Sequence, residues 1–213
     1  MITLKLATSL DGRIATAQGE SRWITGPQSR QQVHQLRATH DAVVVGAGTA
    51  LADDPDLTVR LEGYDGPQPA RVVLDTRQRL SPGARLALTA RDVPTYLVSS
   101  EPLRPELAEA GVRGVLIPRR EAGRPEMAQV IEALASHGLQ RLFVEGGGEV
   151  AASLLREGLA DRLEWFRAPI IIGGEGRPGL GDMALSRLAD APRLRRVDLR
   201  VLGDDLWESY ERI

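Results

Sequence analysis

Five short runs of mainly apolar residues punctuate the chain: Ala42–Val45, Arg71–Leu74, Thr95–Val98, Gly114–Ile117 and Arg141–Val144. Each is continuous rather than alternating. That is the pattern of a strand covered on both faces, and such strands belong to parallel sheets with helices on either side. Helical patterns fall between several of them. Gly26-Pro27 opens one that runs to about Ala38, with the proline in the first turn, where a missing N–H is harmless. Others are Arg104–Ala110, Pro125–His137 and Gly147–Glu157. Ile2–Ala7 reads as a further strand before the turn Ser9–Gly12, and Arg162–Ile172 as another. The C-terminal "RVDLRVLGDDLWESYERI" alternates like two strands around Gly203-Asp204-Asp205. The order predicts an α/β fold, a mostly parallel mixed central sheet flanked by helices with an antiparallel C-terminal hairpin. The polar stretch Glu62–Pro69 reads as a surface connection, so residues 1–213 are expected to form a single domain.

Composition removes several function classes. The 213 residues include no cysteine, so disulfides and thiolate metal ligands are excluded, which fits a reducing cytoplasm. A net charge of -2 argues against binding nucleic acid or a membrane surface through basic attraction. No apolar run approaches the roughly 20 residues of a membrane span, and "MITLKLATSLDG" lacks the features of a secretory leader. A cytoplasmic protein with no metal, nucleic-acid or membrane partner is expected.

Two strand-to-helix junctions are rich in glycine. "FVEGGGEVAASLL" leaves one strand through Gly146, Gly147 and Gly148, and "VVVGAGTALADDP" leaves another through Gly46 and Gly48. Ligands of open α/β sheets bind outside the carboxyl ends of the strands, and backbone N–H groups at such a turn suit a diphosphate. Neither junction has the Walker lysine or the full Rossmann spacing, and tight packing of helix on strand explains either one alone. Together they favour a dinucleotide. The predicted first helix carries Arg30, His34 and Arg37 without an acid, and Arg60 closes "DDPDLTVR". Guanidiniums lacking a balancing carboxylate can receive a phosphate, though a solvated helix face accounts better for any single arginine. Trp23 reads as a core residue or as a platform for a ring.

The stretch Lys5–Arg60 resembles the start of the reductase domain of riboflavin biosynthesis enzymes. "VEGGGEVAASLL" and "APIIIGGEG" (Ala168–Gly176) match later signatures of that family in the same order. The resemblance covers nearly the whole chain and is weaker from about Arg77 to Gln140. It implies a dihydrofolate-reductase-like fold, a homodimer, and NADPH-dependent reduction of 5-amino-6-(5-phosphoribosylamino)uracil to the ribitylamino phosphate. In many bacteria this reductase follows a zinc deaminase whose signature needs cysteines, so deamination is expected from a separate polypeptide or a missing segment.

Laid on matching positions, the resemblance implies cofactor contacts at Ala7, Trp23, Thr49, Asp53 and, less directly, Thr76. The run Gly147, Gly148, Glu149, Val150, Ala151, Ala152 and Ser153 matches the diphosphate turn. Ser21, Arg37, Leu57, Arg60 and Glu145 match positions that hold the phosphorylated ribosyl substrate. Lys5, Asp53 and Glu145 are the titratable catalytic candidates, with Asp53 and Glu145 read as orienting ribose hydroxyls. At "DTR", Thr76 and Arg77 suit a 2′-phosphate, with Asp75 turned inward or capping the turn. Two alternatives stand beside this reading: a pterin reductase of the same fold, and a nucleotide-binding module without catalysis. The first is disfavoured because Thr25–His40 contains no Asp or Glu to hold a pterin.

Overall fold

The computed structural model of the chain describes residues 1–118 and 125–213. In chain order its strands are β1 (Ile2–Thr8), β2 (Arg13–Ala15), β3 (Ala42–Gly46), β4 (Ala70–Leu74), β5 (Thr95–Ser99), β6 (Arg113–Leu116), β7 (Leu142–Gly146), β8 (Arg162–Arg167), β9 (Arg177–Pro178), β10 (Leu194–Leu202) and β11 (Asp205–Arg212). The helices are α1 (Pro27–Ala38), α2 (Ala47–Asp53), α3 (Arg85–Leu88), α4 (Pro105–Ala110), α5 (Met127–Ser136) and α6 (Gly148–Arg156). Nine strands form one sheet in the order β10-β11-β8-β1-β7-β3-β4-β5-β6, and β2 pairs with β9 in a separate two-stranded ladder. Pairings from β8 through to β6 are parallel, while β11 runs antiparallel to β8 and β10 antiparallel to β11. The mixed sheet with its C-terminal hairpin is the α/β architecture that the apolar runs predicted.

Alternation along the strands sorts the core into two layers. Ile2, Leu4 and Leu6 of β1, with Leu142 and Val144 of β7, pack against α5 and α6. The opposite face carries two clusters. Val43, Val45, Val73 and Leu97 meet Ala50, Leu86, Ala87 and Leu107 from α2, α3 and α4, and Phe143, Phe166 and Trp207 meet Val33 of α1. The central strands β3 and β5 are buried at every residue, as continuous apolar runs require. β6 differs from that expectation: within it only Val115 is buried, because the strand forms an edge of the sheet. At the other edge, Arg195, Arg196, Asp198 and Arg200 and a register shift in β10 discourage further strand pairing.

Two elements depart from the sequence reading. The strand expected over Arg162–Ile172 ends at Arg167, and Pro169 offers no N–H to prolong a ladder. The following chain is tied back to the turn after β1, where the Asp11 carboxylate accepts from Gly173 N–H at 2.8 Å and from Ile172 N–H at 3.1 Å. The Ser9 hydroxyl, then those two amides, hold the Asp11 pKa down to about 2. The short helix α3 carries too few turns to leave a periodic signal in the sequence, whereas α2 follows β3 at the second glycine junction.

The helix α1 starts where Gly26-Pro27 placed it, but Gly26 has no side chain with which to cap it. The buried Asp205, at the start of β11, instead anchors the start of the helix from across the chain. Its Oδ2 accepts from Gly26 N–H at 2.7 Å and from the Ser29 hydroxyl at 2.6 Å. Asp205→Ala should therefore lower the unfolding free energy by about 2 kcal/mol, the scale of hydrogen bonds to a charged group. Urea denaturation measures this, and a change under about 0.5 kcal/mol would remove Asp205 from the support of α1.

Candidate active site

β3 and β7 lie side by side and parallel, yet the chain leaves them in opposite directions. From β3 it continues to β4 on one side, and from β7 it passes over β1 to β8 on the other. Such a reversal leaves a crevice at the carboxyl ends of the strands. A cleft of about 640 Å³ opens there, a volume ordinary for small-molecule sites.

Charged groups line this cleft. On β1, Thr3, Lys5 and Ala7 alternate with the core leucines and so face α1. On β7, Glu145 follows Val144 onto that same face, at a register shift where Val44 pairs with Val144 but Val45 pairs with Gly146. The extra residue in the ladder is Glu145 itself, and bulges of this kind commonly re-aim a side chain beside a site. Arg37, one turn beyond Val33 on α1, meets it in a bidentate pair. Its Nε donates to Glu145 Oε1, and its Nη2 to Oε2 at 2.9 Å. The third donor, Nη1, reaches the Thr58 carbonyl at 2.7 Å. Arg37 thereby ties together α1, the end of β7 and the loop after α2.

The three charges set one another's ionisation. Burial alone would raise the Glu145 pKa, but the Arg37 charge and hydrogen bonds, with Lys5 nearby, hold it below its ordinary value. For Lys5 burial dominates: it pushes the ammonium pKa below its usual value, Glu145 draws it back up, and Arg37 lowers it again. His34 is lowered chiefly by burial, then by Arg37 and Arg60. Its Nδ1 lies 3.1 Å from the Thr58 carbonyl and 3.2 Å from the Arg60 N–H, and serves one or the other according to tautomer.

The glycine junctions satisfy both readings of them. A Cβ on Gly46 would sit 3.1 Å from Val150 Cγ2, and one on Gly146 would sit 2.8 Å from Thr49 Oγ1, so helix and strand do pack closely there. Gly147, the residue before α6, has φ +95°, which a β-branched side chain cannot adopt without strain. Gly146, Gly147, Gly148 and Ala151 also line the cleft, so the close-packed turn presents bare backbone to it.

The remaining expected residues divide cleanly. Ser21, Trp23, Thr49, Asp53, Leu57 and Arg60 line the cleft together with Lys5, Ala7, Arg37 and Glu145. Trp23 is 66% exposed, which removes it from the core, and Arg30 stacks over its ring at 4.6 Å. Leu57 is buried with φ +56°, so its side chain belongs to the core behind the cleft. Glu149, Val150, Ala152 and Ser153 do not line the cleft, and the Ser153 hydroxyl accepts from Arg156. Thr76, half-buried, and Arg77, exposed, lie outside it as well. Asp75 does turn inward: it is 1% exposed, and its Oδ2 accepts from Leu80 N–H at 2.9 Å. Sequence reasoning missed Arg22, Asp54, Asp56, Arg85 and Gly179, all of which line the cleft. Arg85 and Gly179 stand far along the chain from the other site residues and carried no local signal.

The family model described as the RibD C-terminal domain matches residues 1–207. The chain belongs to the RibD C-terminal domain family. The 2,5-diamino-6-ribosylamino-4(3H)-pyrimidinone 5′-phosphate reductase of Methanothermobacter thermautotrophicus is 38% identical over 98% of this chain and 96% of its own length. RibD of Acinetobacter baumannii superposes with a TM-score of 0.85 at 31% identity, covering all of this chain and 57% of that one. A deaminase/5-amino-6-(5-phosphoribosylamino)uracil reductase of Thermotoga maritima superposes with a TM-score of 0.82 at 27% identity, covering all of this chain and 56% of that one. The chain spans little more than half the length of the curated RibD relatives it matches.

In this RibD C-terminal domain, Glu145 owes its ionised state to Arg37. Because its pKa is lowered in the fold, the stabilisation is present above the ordinary carboxylate range and is lost as pH falls through the folded value. Arg37→Met should cost about 3–5 kcal/mol at pH 7, the penalty for stranding one member of a buried pair. Below pH 4.5 the deficit should shrink, because the unfolded chain then takes up a proton that Arg37 keeps off native Glu145, while nothing in the variant holds Glu145 ionised. Denaturant unfolding at pH 7 and pH 4 reads the difference, and an equal deficit at both would detach Arg37 from the ionisation of Glu145.

Proposed function

We propose that the chain is a nicotinamide-dependent reductase acting on a phosphorylated ribosylaminopyrimidine of riboflavin biosynthesis. The observation that carries this reading is the match, over nearly the full length of both chains, to the archaeal reductase. The substrate proposed first is 5-amino-6-(5-phosphoribosylamino)uracil, the compound in the name of the Thermotoga relative. The archaeal match favours a second reading, the 2,5-diamino compound before deamination.

The cleft suits such a pair of ligands. Ala7, Gly147, Gly148 and Ala151 leave small-residue surface and exposed backbone where a nicotinamide and a diphosphate would rest. When bound, the cofactor supplies the hydride for C1′ of the opened ribosylamine. The chain supplies orientation and a proton. Glu145, locked to Arg37 and held below its ordinary pKa, is a poor proton donor near neutrality and serves as a fixed acceptor for a ribose hydroxyl. Lys5 is the better acid, because burial lowers the pKa of its Nζ below the ordinary ammonium value. Asp53, at the end of α2, lines the cleft and is read as holding a second hydroxyl.

NADPH is proposed over NADH, with Thr76 and Arg77 meeting the 2′-phosphate beyond the cleft. A homodimer in the cytoplasm is proposed too. It is supported by the exposed apolar row Val197, Leu199 and Val201 on the edge strand β10, and is checked by molar mass in solution. No helix among the described residues is long and apolar enough to cross a membrane. Deamination is assigned to another polypeptide or segment. Among the described residues no group of three or more His, Cys, Asp or Glu is placed to hold a metal ion.

Nicotinamide absorbance in a mixture of protein, NADPH and each ribosylaminopyrimidine phosphate tests the proposal. Decay with the uracil compound is expected, and decay with the diamino compound alone selects the second reading. A stable signal with both would leave a nucleotide-binding module. In the same assay Thr76→Ala/Arg77→Ala should reduce the preference for NADPH over NADH at least tenfold, and an unchanged preference places the 2′-phosphate elsewhere.

A further inference from the structure

Two arginines from distant parts of the sequence converge on one carboxylate inside the cleft. Asp56 Oδ2 accepts from Arg60 Nη1 at 3.2 Å and from Arg85 Nη1 at 3.1 Å. Arg85 is held in place at its own backbone, where its N–H donates to Asp54 Oδ1 at 2.8 Å. Asp54, Asp56, Arg60 and Arg85 all line the cleft. The backbone beneath them is fixed: the Asp56 carbonyl accepts from the buried Arg71 at 3.4 Å, and Leu57 is locked into the core. The Arg60 and Arg85 side chains are 59% and 54% exposed, and Arg85 Nε also lies 4.0 Å from Asp54 Oδ2.

We propose that Arg85 joins Arg60 in the subsite for the phosphate monoester of the substrate, and that the Asp56 carboxylate is a resident stand-in which the phosphate displaces. The proposal rests on the reading above that the substrate is phosphorylated. A single carboxylate shared by two guanidiniums occupies the position an external anion would take, with one acceptor oxygen between two forked donors. A phosphate monoester carries nearly twice the charge and three acceptor oxygens, so it can give each guanidinium its own oxygen. The guanidiniums are exposed while Asp56 is half-buried, and pairs with such exposed partners contribute little in water, so a stronger anion can take the arginines from its carboxylate. Its presence also disfavours substrates without the phosphate, since these would have to enter beside an ion pair they cannot replace.

Inorganic phosphate titrated calorimetrically at low ionic strength into the native chain, Asp56→Asn and Arg85→Ala tests this independently of turnover. Asp56→Asn should bind phosphate at least threefold more tightly and lower KM for the phosphorylated ribosylaminopyrimidine. Arg85→Ala should weaken both about tenfold, with NADPH affinity unchanged in either variant. Weaker phosphate binding by Asp56→Asn would overturn the proposal, because Asp56 would then be an organiser of the arginines. So would unaltered phosphate binding by Arg85→Ala, or a loss confined to NADPH, which would give the subsite to the cofactor. Absence of turnover with every ribosylaminopyrimidine would sink the proposed function alone, since the phosphate titrations decide the subsite without it.

Discussion

A carboxylate at the end of a buried strand stays ionised only if cations are brought to it, and the site is arranged around that requirement. Glu145 is carried to the α1 face of the sheet at a bulge in β7, and Arg37 answers it from α1 with both forks of its guanidinium. The third donor of Arg37 then fixes the loop that carries Leu57, Thr58 and Arg60. Lys5 shares the same low-dielectric space without a carboxylate within salt-bridge distance among the described residues, which is why burial governs its pKa. The fold supports this group from further away, for α1 is held at its start by Asp205 from β11.

The arrangement also separates labour within the cleft. The β7–α6 turn offers backbone and small residues, surfaces that suit a flat ring and a diphosphate. Lys5, Arg22, Arg30, Arg37, Arg60 and Arg85 outnumber Asp53, Asp54, Asp56 and Glu145 in the cleft lining, although the chain as a whole is slightly acidic. The proposed anion sites therefore rest on local placement of arginines and not on net charge.

Much of this was legible beforehand, for reasons that can be stated residue by residue. The central strands announced themselves because burial on both faces demands unbroken apolar runs, and α1 because Gly26-Pro27 marks its start. Site residues between Lys5 and Arg60, and those around Gly147, lay inside motifs dense enough to carry a family resemblance, and the structure gathers most of them into one cleft. Within the glycine-rich motif, helical geometry turns Ala152 and Ser153 away from the cleft that Gly147, Gly148 and Ala151 line. The pairing of Arg37 with Glu145 joins residues 108 positions apart, and the approach of Arg85 to Asp56 joins residues 29 apart. Neither leaves a local pattern, because each depends on how strands are ordered in the sheet.

Buried charge retained for chemistry should carry a stability penalty, and Lys5 is where that penalty can be read. Its folded pKa is depressed, so the protonated form opposes folding at neutral pH. The opposition is relieved as pH climbs from the folded value toward the ordinary 10.5. The decisive measurement is the unfolding free energy of Lys5→Met against the native chain from pH 7 to pH 10, alongside NADPH turnover. The variant should be the more stable at pH 7, with the gap narrowing as pH rises and with turnover abolished. A Lys5→Met protein that is less stable at pH 7, or that still turns over, would show the lysine to be a structural partner of Glu145 and not the proton donor of the site.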